Sequence, residues 1–487
     1  MLEENDTVTT IGEGGRRVWL YPARVVGRFV RARYFTSWLL MAVLVAAPWV
    51  DVGGHPAVLL DLPHRRFFLF GMSLFATNGY YMLFLAGLVV FSVFLATSTL
   101  GRAWCGWTCP QTVFLESFVR VIEERIEGKP SERKRLDAAP WGARKVAKKL
   151  TKWALFALLA GVISTTTVAY FIGREGILEA QSYLVSYLIE LEGPLSLLGV
   201  TFTPQSHPVA TGVFLSLSAL LMFDFVWFRE QVCLIVCPYG RFQSVLMDES
   251  SLSVWYDPRR GEPRGKARGA QRGEEPLGDC VDCGRCVQVC PTGIDIRKGS
   301  QLECVQCAAC VDACDEIMGK LSRPKGLVRY ATEAEIAGGA PRRLRPRVVI
   351  YALALLGVVG ALVTTVSRTP QVELHATRMV GAPYEVMGDG RVKNAGNLRV
   401  TSHMREAVPV RLELADGAPS SLELITPLPR VEVEESGVVH LVFFLIQPQA
   451  GAARRARLKV THADTGAPLG VAEFKLLAPE RVVGGHP

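Results

Sequence analysis

Five long uncharged stretches interrupt the polar sequence of this chain. They cover residues 34–50, 67–101, 153–173, 193–223 and 348–367. A helix needs about 20 apolar residues to cross a bilayer, because every backbone polar group must be satisfied within the hydrocarbon. Buried core helices are the alternative, but five such runs rarely occur together in a water-soluble protein. The pattern therefore predicts a helical integral membrane bundle of about five spans. Phe67–Ala76, at the start of the second stretch, is left open as an interfacial or re-entrant segment.

After about residue 372 the pattern changes to short runs in which apolar and polar residues alternate. Turn residues such as Asp389-Gly390 and Asp416-Gly417 separate these runs. Several short strands at this spacing are typical of an antiparallel β-sandwich. We expect this fold for residues 370–487.

The charges of the connecting segments predict the orientation. The chain carries a net charge of +8, and its basic residues concentrate in residues 1–33, 102–152 and 229–347. Loops on the cytoplasmic side are the ones rich in Lys and Arg. The N-terminal segment is therefore predicted to be cytoplasmic and the tail to lie outside. A cleaved signal peptide is the alternative for residues 34–50, but the basic segment before it is too long for a usual n-region.

All twelve cysteines lie between Cys105 and Cys314. With the predicted orientation, they fall on the cytoplasmic side or at that face of the membrane. Cysteines in this compartment are usually reduced thiols or metal ligands. A secreted disulfide framework is therefore not expected.

The strongest chemical signal lies between residues 280 and 314. Two cysteine runs there share the spacing C-x2-C-x2-C-x3-C, and Pro291 follows the first. This is the spacing of bacterial ferredoxins with two [4Fe–4S] clusters, in which the fourth cysteine of a run ligates the other cluster. Structural zinc is the alternative, but zinc sites usually have two C-x2-C pairs separated by a longer loop. We predict one cluster on Cys280, Cys283, Cys286 and Cys314, and the other on Cys304, Cys307, Cys310 and Cys290.

The other four cysteines form two copies of a second motif, C-x3-C-P. Cys105 and Cys109 follow the second apolar stretch, and Cys233 and Cys237 follow the fourth, 128 residues later. This duplication predicts an internal repeat in the membrane part. Proline favours the first position of a helix, so Cys109 and Cys237 are expected at helix N-termini, where the helix dipole lowers the pKa of a thiol. A two-fold arrangement would bring all four thiols together at the cytoplasmic membrane face; inert apolar cysteines are the alternative.

These patterns give the chain a predicted domain order. A cytoplasmic segment, 1–33, precedes a membrane repeat, 34–250, and a ferredoxin-like domain, 251–330, and the last span, 348–367, leads into the β tail. Residues 259–272 combine Arg with Gly and Pro, which indicates a flexible basic loop and not a nucleic-acid site. Asp224 closes the fourth stretch, where we favour a structural role over a functional one.

The chain resembles the FixG/CcoG (RdxA) family of cytochrome c oxidase accessory proteins. The segments that carry the likeness are WCGWTCPQ, REQVCLIVCPYGRFQ, YDPRRGEPRG, the two ferredoxin runs and the β tail. The membrane and ferredoxin parts also resemble the NapH-type quinol-linked proteins, which lack the tail. In the resembled family the tail is an immunoglobulin-like domain. This sequence departs from it at Ala395-Gly396, where an aromatic residue is common.

The resemblance implies a part in assembling cbb-type oxidases at the bacterial inner membrane, as a cupric reductase that converts Cu(II) to Cu(I). In that case the clusters supply single electrons, and Cys105, Cys109, Cys233 and Cys237 are copper-facing or relay thiols. Soft thiolates prefer Cu(I), which agrees with this role. The implied partners are the lipid bilayer, oxidase subunits or copper chaperones and transporters, and a cytoplasmic or quinol electron donor, with no nucleic acid.

Two other functions remain open. A quinol-linked electron carrier would use the same clusters without copper. A non-enzymatic assembly scaffold would need only the spans and the tail.

Overall fold

The protein is described by a computed structural model that covers residues 17–62, 66–75, 79–188, 195–197, 200–202, 208–265, 277–342, 344–368, 370–404, 406–434, 437–448 and 455–478. Residues 266–272 of the predicted basic loop lie outside this described part. The chain divides into two compact units, Met1–Leu362 and Val363–Pro487.

Five helices in the described residues are long and apolar enough to cross a membrane, which confirms the predicted number of spans. They are Arg28–Ala46, Tyr80–Leu100, Ala143–Val185, Pro208–Phe228 and Pro346–Arg368. The third continues to Leu188 and is kinked at Gly173, which has a left-handed φ of 76°. The fourth passes from an α-helix, Pro208–Phe223, into a π-helix, Asp224–Phe228. These helices identify the chain as a membrane protein.

Two apolar segments that precede the second and fourth spans are β-structure. Val58–Asp61, Arg66–Leu69 and Met72–Phe75 form a three-stranded antiparallel sheet, so the described part of Phe67–Ala76 is not a re-entrant helix. Phe70 and Gly71 make its two-residue turn with φ values of 49° and 80°, as a tight hairpin requires. Leu195–Leu197 and Val200–Phe202 pair in the same way. Apolar composition alone does not separate such strands from a span.

Short helices follow the second and fourth spans on the same side of the bundle. After the second span come Ala103–Trp107, Pro110–Phe114, a π-helix Leu115–Val119, Arg120–Glu127 and Pro130–Ala138. After the fourth come a π-helix, Val232–Val236, and Pro238–Leu246. Phe114, Phe156 and Phe225 share one core, which ties the first short helices to the third and fourth spans. Single-turn π-helices are frequent at functional sites.

The two cysteine runs lie between paired strands, Ser253–Tyr256 and Val328–Ala331. The helices in this region are Pro258–Gly261, Arg285–Gln288, Ala309–Lys320 and Glu333–Ile336, with a 3-10 turn at Ile296–Lys298. Asp312 accepts hydrogen bonds from the backbone N–H groups of Phe29 and Val30, at 3.3 and 2.8 Å. It thereby caps the first span, which attaches this region to the membrane part.

The second unit is β-rich, as the alternating pattern predicts. One antiparallel sheet has the order Val372–Arg378, Arg391–Ser402, Val438–Pro448, Glu423–Ile425, with Glu385–Val386 beside Arg391–Ser402. The other has the order Val431–Val433, Val408–Leu414, Arg455–His462, Pro468–Lys475. Both sheets contribute to a single hydrophobic core, in which Leu398, Phe443 and Leu458 are fully buried.

Candidate iron–sulfur sites and membrane-face thiols

The eight cysteines of the ferredoxin runs surround two neighbouring cavities. The first, which we call the inner cavity, is lined by Cys290, Cys304, Cys307 and Cys310. The second, the outer cavity, is lined by Cys280, Cys283, Cys286 and Cys314. The fourth cysteine of each run therefore lies with the first three of the other run. Cys286 borders both cavities and forms part of the wall between them.

The two cysteine loops share the same backbone conformation. Asp282 and Gly284 have left-handed φ values of 47° and 63°, and the matching Gln306 and Ala308 have 56° and 58°. Left-handed backbone is costly for residues with a Cβ atom. Both loops adopt it at the same two positions, which turns three successive cysteines of each run toward one cavity.

The residues of the two cavities fit a cubane cluster better than a single metal ion. Among the described residues, no three His, Cys, Asp or Glu side chains converge closely enough to hold one ion. Backbone N–H groups instead donate to the sulfurs of Cys290, Cys304 and Cys314 from residues next to each cavity. Such hydrogen bonds stabilise thiolate ligands and tune the potential of a cluster. Burial otherwise raises the pKa of these three thiols, which is the cost that iron coordination offsets.

The four membrane-face thiols, Cys105, Cys109, Cys233 and Cys237, come from the two C-x3-C-P loops. Cys109 and Cys237 are the N-cap residues of the helices Pro110–Phe114 and Pro238–Leu246, as the prolines predict. The four thiols influence one another electrostatically, since each of the others affects the pKa of Cys233. The structure therefore brings the two loops together.

The residues that follow each C-x3-C-P motif form hydrogen bonds with the end of the span that belongs to the other half of the repeat. Gln111, two residues after Cys109, donates to both carboxylate oxygens of Asp224 at 2.9 Å and to the Arg229 carbonyl at 3.0 Å. Tyr239, two residues after Cys237, bonds the Thr97 hydroxyl at 2.7 Å. This exchange is what an approximate two-fold axis produces. It also gives Asp224 the structural role that the sequence favoured.

The expected lowering of the thiol pKa at a helix N-terminus is wrong for Cys109. Burial raises the pKa of Cys105 to about 11, although a hydrogen bond with the Gln243 amide opposes it. Burial also raises the pKa values of Cys109 and Cys233, and for Cys109 it outweighs the N–H groups of Thr112 and Gln111. Desolvation of the thiolate exceeds the benefit of the helix end.

The first C-x3-C-P loop lies directly on the loop that carries Cys304 and Cys307. A Cβ atom on Gly106 would lie 2.4 Å from the Val305 carbonyl oxygen and 2.9 Å from the Cys307 nitrogen. The two backbones can approach this closely because residue 106 is glycine.

Arg102 joins the same surfaces. Its guanidinium donates to the carbonyls of Leu302 and of Gly240, the latter at 2.9 Å, and its backbone N–H donates to the Gln306 side chain at 3.0 Å. Trp107 adds a further link, from its indole N–H to the Tyr330 hydroxyl at 3.0 Å. Hydrogen bonds of Arg102 therefore connect the residues around the inner cavity to both C-x3-C-P loops.

A buried ionic cluster holds this region together, and the sequence patterns did not reveal it. Glu123 is buried and accepts two hydrogen bonds from Arg229, at 3.0 and 2.8 Å, and one from Arg133 at 2.5 Å. Burial alone would raise the pKa of the Glu123 carboxyl, but Arg229, Arg133 and Lys152 outweigh it and lower that pKa to about 2. Arg102, Gln243, Glu123 and Arg229 look like ordinary loop residues in the sequence. The available signal was the four-residue spacing of Glu123 and Glu127 in the short helix after Cys109.

Comparisons with known protein families identify iron–sulfur regions in this chain. Residues 228–333 match the model of a 4Fe-4S dicluster domain, and residues 79–129 match that of a 4Fe-4S binding domain. The dicluster match contains both cavities, which supports two [4Fe–4S] clusters. The shorter match contains Cys105 and Cys109.

Curated relatives align along most of the chain. Protein RdxA of Cereibacter sphaeroides is 35% identical over 93% of this chain and 95% of its own length. The nitrogen fixation protein FixG of Rhizobium meliloti is 34% identical over 83% of this chain and 80% of its own length. A solved FixG-related protein from Vibrio parahaemolyticus covers 23% of this chain and 98% of its own, with 13% identity and a TM-score of 0.19. That score is too low to support an argument about the fold.

Proposed function

The chain belongs to the RdxA and FixG family, and from that premise we propose that this membrane iron–sulfur protein reduces Cu(II) to Cu(I) for the assembly of a cbb-type cytochrome c oxidase. Its family and its dicluster domain make it a membrane iron–sulfur electron-transfer protein. The copper step, the oxidase and the residues that serve them are the proposal.

The observation that carries this proposal is the close contact between the first C-x3-C-P loop and the loop that carries Cys304 and Cys307. Gly106, between Cys105 and Cys109, lies against the backbone that carries Cys307. Bound at the two cavities, [4Fe–4S] clusters would supply single electrons. An electron leaving a cluster in the inner cavity would have a hydrogen-bonded route to Cys105, because the Arg102 N–H donates to the Gln306 side chain at 3.0 Å and the Cys105 N–H donates to the Arg102 carbonyl at 3.0 Å.

The chain's residues have distinct parts in this scheme. Cys290, Cys304, Cys307 and Cys310 hold the inner cluster, and Cys280, Cys283, Cys286 and Cys314 hold the outer one. The four membrane-face thiols receive copper as the substrate or relay the electron to it, and each Cu(II) takes up one electron to become Cu(I). Sulfur ligands favour the reduced ion. Because these thiols do not converge on one point before copper arrives, we expect copper to draw them together when it binds.

The location follows from the charge pattern. We propose that the protein lies in the bacterial inner membrane, with its N-terminus and clusters in the cytoplasm and its tail in the periplasm, since the basic loops belong on the cytoplasmic side. We assign an immunoglobulin-like fold to residues 370–487, supported by two antiparallel sheets that share one core. There the tail would meet oxidase subunits or a copper carrier.

The test uses anaerobically purified protein in detergent. Cys105→Ser with Cys109→Ser, and Cys233→Ser with Cys237→Ser, should weaken Cu(I) binding and slow Cu(II) reduction by the dithionite-reduced protein, because serine is a hard and poorly ionised ligand. Iron content and EPR signals should remain near those of the wild type. Trp104→Phe, an exposed neighbour of Cys105, is the matched control and should change neither property.

Each other outcome rejects part of the proposal. Loss of the iron–sulfur signals in the double variants would make these cysteines cluster ligands or structural residues. Normal copper binding and reduction would move the metal elsewhere and favour the quinol-linked carrier. Oxidase assembly that survives Cys304→Ser would favour the non-enzymatic scaffold.

A further inference from the structure

The two cavities differ in their access to water. All twelve cysteines lie in the described residues, and Cys283, at the outer cavity, is the only exposed one. It stands on the turn formed by Asp282 and Gly284, and the side chain of Asp282 is 47% exposed. Arg285 also lines this cavity, so an acidic and a basic side chain flank Cys283.

The inner cavity is covered on several sides by other parts of the chain. Val25 and Val30, from the N-terminal segment and the first span, pack with Cys307. Arg33 donates to the Cys307 carbonyl at 3.4 Å, and Arg120 donates to the Pro291 carbonyl at 3.0 Å. The first C-x3-C-P loop closes a further side at Gly106, as described above. A protein partner in water can therefore reach an exposed cysteine, Cys283, at the outer cavity, whereas the cysteines that line the inner cavity are not exposed.

We infer that the outer cavity is the port where a water-soluble one-electron carrier protein delivers electrons, and that the inner cavity is the exit toward the membrane-face thiols. This inference rests on the proposed function for the direction of flow. In each encounter the carrier would give up one electron, and a cluster held by Cys280, Cys283, Cys286 and Cys314 would take it up, with no bond or proton exchanged. A quinol does not fit this port, because quinols stay in the membrane, whereas the exposed cysteine, Cys283, lies at the outer cavity.

The charges beside Cys283 also indicate the kind of encounter. Asp282 pairs with Arg297, and Arg297 also bonds Asp295 at 2.7 Å, so opposite charges alternate around the port. Reversing one of these charges should therefore make the port attract carriers of the opposite charge and repel carriers of the same charge.

The experiment uses two soluble carriers of opposite charge and no copper. Stopped-flow spectroscopy follows reduction of the purified full-length protein by the hydroquinone of an acidic flavodoxin, and oxidation of the reduced protein by basic cytochrome c. Asp282→Lys should speed the flavodoxin reaction and slow the cytochrome c reaction, each by about threefold or more at low ionic strength. Arg285→Glu should produce the opposite pair of changes. Both effects should disappear near 1 M salt, where the screening length is about 3 Å.

Opposite responses to the two carriers separate docking from damage, because a misfolded variant would react more slowly with both. Asp282→Lys should keep its iron content, since Arg297 retains Asp295. The matched control is Glu303→Lys, a charge reversal beside Cys304 at the inner cavity, which should alter neither rate.

Three results would overturn the inference. The first is unchanged rates in both rim variants, and the second is the sign pattern appearing in Glu303→Lys instead. The third is reduction of the protein by decylubiquinol in nanodiscs at the flavodoxin rate. A failure of copper reduction with the expected sign pattern intact would instead reject the proposed function and leave the port standing.

Discussion

Gly106→Ala tests the contact between the first C-x3-C-P loop and the inner cavity. The new Cβ atom would lie 2.4 Å from the Val305 carbonyl oxygen, whereas ordinary contacts begin at 3.4 Å. The neighbouring atoms belong to the backbone, so no side-chain rotation can relieve the overlap. The two loops must therefore separate by about 1 Å or distort, and overpacking of this kind costs about 1–3 kcal/mol.

The expected result is a protein that keeps its clusters but couples them poorly to the membrane-face thiols. The eight cysteines of the two cavities are unchanged, so iron and sulfide contents should match the wild type. The apparent unfolding temperature in detergent should fall, and Cu(II) reduction by the pre-reduced protein should slow, because electron transfer weakens steeply with distance. Gly142→Ala is the matched control, since a Cβ atom there meets nothing within 4 Å.

A Gly106→Ala protein with the stability and the Cu(II) reduction rate of the wild type would refute this reasoning. Equal losses in Gly142→Ala would refute it as well, because the effect would then not arise from the contact. Slower reduction together with a lost EPR signal would assign the defect to cluster binding and not to coupling.

Three further predictions address the cofactors, the orientation and the buried charges. The purified protein should contain about eight iron and eight acid-labile sulfide per chain, as two four-iron clusters require, and stoichiometric zinc with little iron would contradict this. A periplasm-active reporter should be active when fused after residue 370 and inactive near residue 270, and the reverse pattern would invert the orientation. Glu123→Gln should destabilise the protein by about 3–5 kcal/mol in chemical denaturation, because it leaves Arg229 and Arg133 buried without their partner, and a loss below about 0.5 kcal/mol would argue against that pairing. Since the pKa of Glu123 is lowered from 4.5 to about 2, its stabilisation should be complete above pH 4.5 and disappear as the pH falls toward 2, a dependence that Glu123→Gln should lack.

The parts of the fold that the sequence predicted are those governed by local chemistry. Apolar length predicts spans because lipid satisfies no backbone hydrogen bond, and five helices of sufficient length follow. Alternation predicts the strands of the second unit for a similar reason, because a two-residue period buries one face of a sheet. Proline after cysteine predicts the N-caps at Cys109 and Cys237, since it fixes the first residue of a helix.

The parts that it did not predict depend on contacts between distant segments. The strands at Phe67 are as apolar as a span, and only their pairing distinguishes them. Arg102 and Glu123 stand among many basic-loop charges, and their burial arises from segments that lie 100 or more residues away in the sequence. The pKa of Cys109 was predicted with the wrong sign, because desolvation is set by those same distant segments.

The repeat places the four thiols, but its departures from symmetry decide what each loop contacts. The first loop reads Cys-Gly-Trp-Thr-Cys and the second Cys-Leu-Ile-Val-Cys, so Leu234 stands where the first copy has Gly106. A leucine at residue 106 would clash with the backbone of Val305 and Cys307, whereas glycine lets that backbone approach closely. In the second loop Ile235 and Val236 are exposed and apolar, as residues that face lipid are. One copy is therefore shaped for the iron–sulfur region and the other for the membrane, and together they set the four thiols at the boundary between the two.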